Sequence, residues 1–357
     1  MLSNGRRLGA HLPLGSGMVR AADRAAAIGA SALQVFSDNP TAWRRRERLP
    51  DELPAFRARL ALHGIAPLAI HAPYLVNLAT PDPITRERSV TVLANELRVA
   101  VAYGATLVNV HIGSHRGEGA EAGTSRLAEA LRQAIDGAGL DAGNVTLVLE
   151  NGSGGGFGLG STMEELAAID RAIESAGIPG VRTGFCLDTA HLWGAGYRID
   201  TPAGVDDLVA AFDGLVGIDR LRLVHLNDSR SEPGSRADRH EHIGAGRIGR
   251  AGLGRFLTHP LLGEVAYILE TPGMEDGWDE VNLRRARDAA EGRPLDDLPA
   301  HAFETRSARG RSAPADPDAD GHMDGHADAR VDAGAHVDAD AAAHARVDAA
   351  IATTAGP

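Results

Sequence analysis

The sequence predicts a closed (β/α)₈ barrel, because short β-rich runs alternate with longer amphipathic segments through residues 1–293. Several runs are apolar almost throughout, as parallel strands covered on both faces should be. Eight βα units in about 290 residues fit a closed barrel better than a doubly wound sheet. The eight predicted strands are residues 8–12, 32–36, 67–71, 107–111, 145–150, 183–188, 221–225 and 265–270.

Helical segments are predicted between the strands, for example at 84–103, 126–138 and 163–176. Thr162 and Glu165 have the spacing of a capping box at the start of one of them. Gly104 and Gly177 supply the stop signals of two helices. These start and stop signals support the alternating pattern on which the barrel prediction rests.

The composition is that of a soluble globular protein, with 43% hydrophobic and 24% charged residues among 357, which excludes collagen-like and fully disordered chains. No apolar stretch approaches the length of a membrane span, and the first fifteen residues lack the apolar centre of a secretory signal. We therefore expect a cytoplasmic protein without a membrane partner. Cys186 is the only cysteine, which excludes an intrachain disulfide and a cysteine-cluster zinc site.

Residues 294–357 differ from the rest of the chain, because they consist largely of Ala, Asp and His. They carry 12 acidic and 5 basic residues, so the net charge of −12 divides into −7 for this segment and −5 for residues 1–293. We expect two units, a barrel domain at 1–293 and a disordered tail at 294–357. The tail histidines could bind metal weakly, but composition favours a solvated acidic tail without a specific role.

The predicted strands end in residues that can bind metal. The last residue of each of strands three to eight is an imidazole or a carboxylate, and three more such residues follow strand ends. The carboxyl ends of barrel strands meet at one rim, where the active sites of these barrels lie. A single His or Glu at such a position would usually anchor a loop, but that interpretation must explain all nine together. The nine candidates are His71, His111, Glu150, Asp188, His191, His225, Asp238, His240 and Glu270.

Four carboxylates and five imidazoles on one rim would be costly to desolvate without cations between them. One tetrahedral zinc ion uses four ligands, so we expect at least two ions and favour three. Three divalent ions would change the −5 of residues 1–293 to about +1, concentrated at the rim. A polyanion could then approach the site. His11 ends the first strand, and we expect it to form a wall of the site or to support a ligand.

Two glycine-rich stretches have the composition of phosphate-binding loops. Residues 244–249 have the glycine spacing of the dinucleotide-binding motif, G-x-G-x-x-G. They follow no predicted strand, however, and no βαβ unit surrounds them. We therefore predict no nucleotide cofactor there. Residues 151–160 follow strand five directly. They could bring backbone close to a phosphate, or they could be a flexible turn that accommodates the metal rim.

The motifs around these candidates resemble those of the endonuclease IV family, the zinc-dependent apurinic/apyrimidinic endonucleases of AP endonuclease family 2. The resemblance covers most of residues 6–292, implies a xylose isomerase-like TIM barrel, and leaves the tail outside. The stretches that carry it are HAPYL at 71–75, NVHIGSH at 109–115, LENG at 149–152, CLDTAH at 186–191, HLNDS at 225–229, DRH at 238–240, IGAG at 243–246 and ILETP at 268–272.

The resemblance implies a deoxyribonuclease IV-type phosphodiesterase that acts on double-stranded DNA containing abasic sites. Hydrolysis 5′ to the abasic sugar, with a metal-bound hydroxide as nucleophile, would leave 3′-hydroxyl and 5′-deoxyribose phosphate ends. Glu150 and Glu270 would be the catalytic carboxylates, and blocked 3′ ends could be trimmed by the same chemistry. The resemblance implies three zinc ions. His71 and His111 would hold the first, and Glu150 would bridge it to the second. The second would be completed by Asp188, His225 and Glu270, and the third would be held by His191, Asp238 and His240.

Members of this family flip the damaged nucleotide out of the duplex and fill the gap with side chains. Tyr74 and Leu75 match the positions that supply such wedges, although ordinary packing beside His71 is the alternative. Where well-known members carry an inserted Arg shortly before a Trp, this chain has Thr41, which is too short to fill the gap. The arginines 44–46 (Arg44, Arg45, Arg46) could compensate as a phosphate-binding cluster, or they could form a solvated basic turn.

The main alternative is a sugar isomerase or epimerase, because such enzymes also carry metal on a (β/α)₈ barrel. Those enzymes need fewer metal ligands, and His191, Asp238 and His240 would have no obvious task in a one-ion isomerase. A non-catalytic metal-binding protein, suggested by the tail, does not explain ligands ordered along eight strands. We therefore favour DNA cleavage near the nucleoid, by a monomer, since the barrel closes on itself.

Overall fold

The structure, a computed structural model, describes residues 1–139, 145–273 and 276–304. The barrel strands are β1 (Leu8–His11), β2 (Ala32–Phe36), β3 (Leu68–His71), β4 (Leu107–His111), β5 (Thr146–Glu150), β6 (Thr183–Asp188), β7 (Leu221–His225) and β10 (Ala266–Leu269). A short antiparallel pair outside the barrel is formed by β8 (Asp228–Ser229) and β9 (His240–Glu241). The eight barrel strands are parallel and close in the order β1-β10-β7-β6-β5-β4-β3-β2, which confirms the predicted fold.

The barrel closes where β1 pairs with both β10 and β2. Gly9 lies at this closure, and a Cβ atom on it would collide with the carbonyl oxygen of Ala32 on the neighbouring strand. Because glycine has no side chain, it allows the two strands to approach closely here. The predicted strand ends differ from those observed by at most one residue.

Nine helices are found in the described ranges, mostly outside the barrel between successive strands. None of them is both long enough and apolar enough to cross a lipid bilayer. They are α1 (Met18–Ala27), α2 (Leu53–His63), α3 (Pro83–Tyr103), α4 (Ala120–Ala138), α5 (Met163–Ser175), α6 (Thr189–Ala195), α7 (Pro202–Leu215), α8 (Gly249–Thr258) and α9 (Trp278–Ala290).

The helix α5 begins at the predicted cap, with one difference. The Thr162 hydroxyl accepts a hydrogen bond from the Glu165 N–H over 3.2 Å, as a capping box requires. The Glu165 carboxylate accepts from the N–H of Ser161 instead of that of Thr162. Gly104 ends α3 in the left-handed conformation, with φ of 75°, so this stop signal acts as the sequence predicts.

The barrel interior beneath the carboxyl-terminal rim is filled by a layer of small and branched side chains, so it is a packed core and not a channel. A larger apolar core lies between the barrel and the surrounding helices. Polar residues therefore concentrate at the rim. The interior layer consists of Ala32, Ala69, Leu107, Val148, Cys186, Leu223, Ala266 and Ile268.

The first part of the segment assigned to the tail packs on the barrel. The carbonyl of Ala302 accepts a hydrogen bond from His242 Nε2 over 2.8 Å, and the rings of His301 and Trp278 lie 5.5 Å apart. For residues 294–304 the expectation of disorder was wrong, because Ala302 and Phe303 supply contacts that the Asp-rich composition concealed. The remainder of the predicted tail, 305–357, lies outside the described residues.

Candidate metal centre

The six strand-end candidates converge on the carboxyl-terminal rim of the barrel. Glu150, at the end of β5, is buried at the centre of the group. Its Oε2 lies 3.4 Å from His71 Nε2 and 3.6 Å from His111 Nε2, while its Oε1 lies 3.3 Å from His225 Nδ1. Because its two oxygens face different imidazoles, one carboxylate can serve two adjoining sites.

Asp188 and Glu270 complete the side of the group that contains His225. Asp188 Oδ2 lies 3.8 Å and Glu270 Oε2 3.3 Å from His225 Nδ1. The other oxygen of Asp188 caps α6, since it accepts from the N–H groups of Ala190 and His191. Asp188 is thus fixed by the first turn of the helix that follows its strand.

The remaining three candidates form a trio against the first six. His191 lies on α6, His240 on β9, and Asp238 between the strands of the β8–β9 hairpin. Asp238 Oδ2 lies 2.7 Å from His191 Nε2, and its Oδ1 lies 3.1 Å from His240 Nε2. His240 Nε2 is also 3.6 Å from Asp188 Oδ2, so the trio adjoins the strand-end residues. All nine sequence candidates are therefore in one cluster.

Among the nine candidates, three groups have ligand atoms close enough to share an ion, with all atoms of a group within 4.8 Å of one another. A fourth such group joins Cys186 to Glu150 and His225. Imidazole nitrogens and carboxylate oxygens are the ligands that zinc accepts. The three groups are His71, His111 and Glu150; Glu150, Asp188, His225 and Glu270; and Asp188, His191 and His240.

Four of the histidines are oriented as metal-binding histidines usually are, with one ring nitrogen on a carbonyl oxygen and the other facing the cluster. In three of them Nδ1 lies on a backbone carbonyl, that of Ala72, Asn151 or Glu270, over 2.7 to 2.8 Å. In His225 the order is reversed, and Nε2 lies 3.0 Å from the side-chain carbonyl of Gln34. The three that use Nδ1 are His71, His191 and His240.

Three atoms within the cluster are buried and make no hydrogen bond to the described residues: His225 Nδ1, Asp238 Oδ1 and His240 Nε2. Buried polar atoms are almost always satisfied in folded proteins. All three atoms belong to predicted ligands and face other ligands of the cluster. The side chains present therefore fit bound cations.

The pKa values of two histidines show how strongly the neighbouring carboxylates act on the cluster. Burial lowers the pKa of His240, but the charge of Asp238 more than offsets it, so the pKa rises to about 9. Burial likewise opposes protonation of His191, yet Asp238 and Asp188 raise its pKa well above the usual range. The carboxylates thus favour positive charge at these imidazoles, and a divalent cation can supply such charge.

Comparisons with known proteins identify the family of this chain. A family model described as a xylose isomerase-like TIM barrel matches residues 22–292. A protein of Methanoculleus marisnigri named probable endonuclease 4 is 39% identical over 283 residues, which are 79% of this chain and 98% of that protein. The chain belongs to the endonuclease IV family.

Two solved structures resemble this family member to different degrees. Endonuclease IV from Thermus thermophilus superposes with a TM-score of 0.69 at 36% identity, over 80% of this chain and 99% of that one. D-psicose 3-epimerase from Clostridium cellulolyticum superposes with a TM-score of 0.54 at 15% identity, over 80% and 97% of the two chains. The second likeness shows a shared barrel and nothing further.

Sequence reasoning missed the amide side chains that hold the carboxylates of this endonuclease IV family member. Asn227 donates to Asp188 Oδ2 over 2.7 Å and accepts from the Glu270 N–H over 2.8 Å. Asn109, on β4, donates to Glu150 Oε2. An asparagine two residues before His111, in an otherwise apolar strand, points to the same face and was the available signal. His11, as expected, supports a candidate ligand, with Nδ1 3.3 Å from Glu270 Oε1.

Tyr74 and Leu75 lie beside the cluster but are only 9% and 8% exposed. The Tyr74 ring packs edge-on against Phe36 at 5.2 Å and lies 5.7 Å from the ring of His71. This placement favours the packing alternative over a protruding wedge.

The three arginines at 44–46 do not form one cluster. The Arg44 side chain is 88% exposed, whereas that of Arg45 is 9% exposed and lies 3.6 Å from the buried carboxylate of Glu96. Arg46 pairs with Asp38 at 3.3 Å and remains 46% exposed. The expectation that Arg45 contacts phosphate is therefore corrected: its charge is used to neutralise Glu96.

The glycine-rich stretch 244–249 binds a carboxylate of the chain itself. Asp228 accepts hydrogen bonds from the N–H groups of Gly244, Gly246, Ile248 and Gly249 over 2.9 to 3.2 Å. Burial raises the pKa of Asp228 to about 6 although these backbone donors lower it. The loop is an anion-binding nest whose anion is the carboxylate of Asp228.

The other loop, 151–160, is fixed by backbone hydrogen bonds. Gly152 N–H donates to Gly160, and the carbonyl of Phe157 accepts from the N–H of His115. The loop therefore borders the cluster as an ordered turn, tied to the loop that follows β4.

Proposed function

We propose that this protein is a DNA repair endonuclease that hydrolyses the phosphodiester bond 5′ to an abasic site, leaving 3′-hydroxyl and 5′-deoxyribose phosphate ends. The observation that carries the proposal is the contact of the His191, Asp238 and His240 trio with the strand-end residues, since one-ion sugar chemistry has no use for it. The same bond type occurs at blocked 3′ ends, so we include their trimming.

The proposed metal is zinc, in three ions. His71 and His111 would hold one, and Glu150 would bridge it to a second. When bound, the ions would activate water and neutralise charge on the phosphate. Asp188, His225 and Glu270 would complete the second site. His191, Asp238 and His240 would form the third.

Glu150 and Glu270 are the proposed catalytic carboxylates. Glu150 is 1% exposed and faces imidazoles on both sides, so its part is to hold the two halves of the site at a fixed separation. Glu270 is 11% exposed and therefore borders the space open to substrate. We assign to it the orientation of the attacking water.

We propose DNA contacts from two loops, one after β2 and one after β3. Arg44 and Arg46 are exposed on the loop after β2 and would contact backbone phosphates. Tyr74 and Leu75 would form a wall of the pocket that receives the extrahelical sugar, in keeping with their burial. The chain would act as a monomer on double-stranded DNA, which makes the nucleoid its place of action.

The test is incubation of the purified full chain with a duplex that bears one tetrahydrofuran abasic analogue, together with elemental analysis of the protein. We expect about three zinc ions per chain and incision 5′ to the analogue, with ends that a DNA polymerase extends. The same duplex without the analogue is the control. Zinc-loaded protein that leaves the analogue intact and epimerises a ketose would overturn the proposal in favour of the sugar enzyme.

A further inference from the structure

We propose that Gln34 is a positioning residue, whose side-chain amide fixes the tautomer of His225 and the orientation of Glu270 and so determines how tightly the ion between them is held. This inference rests on the proposed metal centre. It concerns a residue that lies outside the nine candidates and outside the sequence motifs.

Gln34 is fully buried in the barrel interior. It lies on β2, and β1 and β10 stand between β2 and β7 in the closed sheet, so its side chain reaches across the end of the barrel. Its Oε1 lies 3.0 Å from His225 Nε2, and its Nε2 lies 2.6 Å from Glu270 Oε1. His11 Nδ1 is 3.0 Å from the same amide nitrogen. One amide thus contacts two predicted ligands from different strands.

The orientation of the amide follows from these partners. Its nitrogen must face Glu270, because an amide oxygen there would oppose a carboxylate oxygen. Its oxygen then faces His225 Nε2, which must carry the proton and donate. Since Nε2 is engaged by Gln34, Nδ1 is the ring nitrogen left to bind a cation, and it points at Glu150 and Glu270, each 3.3 Å away. The amide also occupies Glu270 Oε1, which leaves Oε2 to face His225.

His225 differs in this respect from His71, His191 and His240. Those three are oriented by backbone carbonyls, which no substitution removes. His225 is oriented by a side chain, so its tautomer can be tested by mutation. Groups that orient metal ligands typically contribute about 10- to 100-fold in metal affinity or activity.

Two substitutions separate the two ends of the amide. Gln34→Met keeps the side-chain length but removes both the acceptor and the donor. Gln34→Glu keeps an acceptor for His225 and replaces the donor to Glu270 by a second carboxylate. Gln133→Met is the matched control, because Gln133 is exposed on α4 and bonds only to Glu129 among the described contacts.

For each variant we would measure zinc retained against a chelator and incision of the abasic duplex. Gln34→Met should lose one zinc equivalent at a chelator concentration at least about 10-fold lower than the wild type needs. Gln34→Glu keeps the acceptor for His225, so it should lose that zinc equivalent less readily than Gln34→Met does. It should still incise more slowly than the wild type, because Glu270 no longer has its donor. A merely structural role would reduce both quantities together in both variants. Unchanged retention in Gln34→Met would overturn the inference.

A second measurement covers the case in which a variant does not fold. In zinc-loaded wild type with ¹⁵N-labelled histidine, long-range proton–nitrogen spectra should show the ring of His225 protonated at Nε2 and zinc-ligated at Nδ1. Protonation of His225 at Nδ1 would refute the role of Gln34 while leaving the proposed function intact. A wild type that binds no zinc or cuts no DNA would instead refute the proposed function.

Discussion

His191 Nε2 lies 2.7 Å from Asp238 Oδ2, although 47 residues separate them in the chain. His191 is held by the helix that follows β6, and Asp238 by the hairpin that follows β7. Their contact joins two neighbouring βα units at the rim and extends the cluster beyond the strand ends. The charge of Asp238 also raises the pKa of the imidazole, against the opposing effect of burial.

The stability of the metal-free protein should therefore fall as the pH rises. His240 has an ordinary pKa of 6.5 when unfolded and about 9 in the fold, so its stabilising contribution is complete below 6.5 and is lost through 9. Thermal unfolding of chelator-treated and zinc-loaded protein, followed across this range, checks the prediction. The loaded protein should lack this loss, and zinc loading near neutral pH should release protons. Parallel profiles for the two forms would contradict it.

Glu270→Gln should reduce incision by about 100-fold without unfolding the protein. The substitution removes a charge from the side of the cluster where Glu270 Oε2 faces His225 at 3.3 Å. Single-turnover incision and far-ultraviolet circular dichroism measure the two effects. Glu264→Gln is the control, because Glu264 is exposed just before β10 while Glu270 follows that strand. Equal loss in both variants would show that the effect is not specific to the rim.

Asp228→Asn should lower the free energy of unfolding by about 3 kcal/mol, because an amide group cannot accept all the backbone N–H groups that the carboxylate accepts. The N–H groups of Gly246 and Gly249, which donate to Asp228 Oδ2, would be among the donors left without an acceptor. Urea unfolding measures the change, with Asp207→Asn on the exposed face of α7 as the control. If the two variants unfold at the same urea concentration, the loop does not depend on its internal anion.

Arg44 and Arg45 are adjacent but should behave oppositely. Arg45→Met should cost about 3 kcal/mol of stability, since it leaves the buried charge of Glu96 without its cation. Arg44→Met should leave stability unchanged but weaken DNA binding and reduce the slope of affinity against salt by about 1. Thermal unfolding and binding titrations at several salt concentrations distinguish them. A stable Arg45→Met protein with weakened DNA binding would restore the interpretation of Arg45 as a phosphate contact.

Two truncations test the boundary of the C-terminal segment. Removal of 305–357 should leave thermal stability and incision unchanged. Removal of 295–357 should lower the melting temperature, because it deletes the Ala302 carbonyl that His242 Nε2 contacts and the ring of His301 beside Trp278. Equal melting temperatures for the two truncated proteins would show that residues 295–304 contribute nothing to stability.

The barrel and the nine candidate ligands could be predicted from the sequence because both depend on the pattern of neighbouring residues along the chain. An apolar run that ends in His71 or Glu150 places that residue at the rim of any parallel barrel, whatever the details of packing. Arg45 could not be distinguished from Arg44 in this way, since both lie in one exposed-looking run. Only the fold brings Glu96 of α3 beneath one of them. Residues 294–304 were misjudged for the same reason, because composition does not record that Trp278 and His242 offer them a surface.

Strand periodicity and the chemistry of strand ends were determined by the sequence alone, since both depend on neighbours along the chain. The tertiary structure decided which nitrogen of each histidine faces the cluster, and that Gln34 sets this for His225. It also decided that the anion in the glycine-rich nest is Asp228. Apart from the orientation of His71 by the adjacent Ala72 carbonyl, these features depend on hydrogen bonds between residues far apart in the chain. Such residues come within hydrogen-bonding distance only once the barrel has closed.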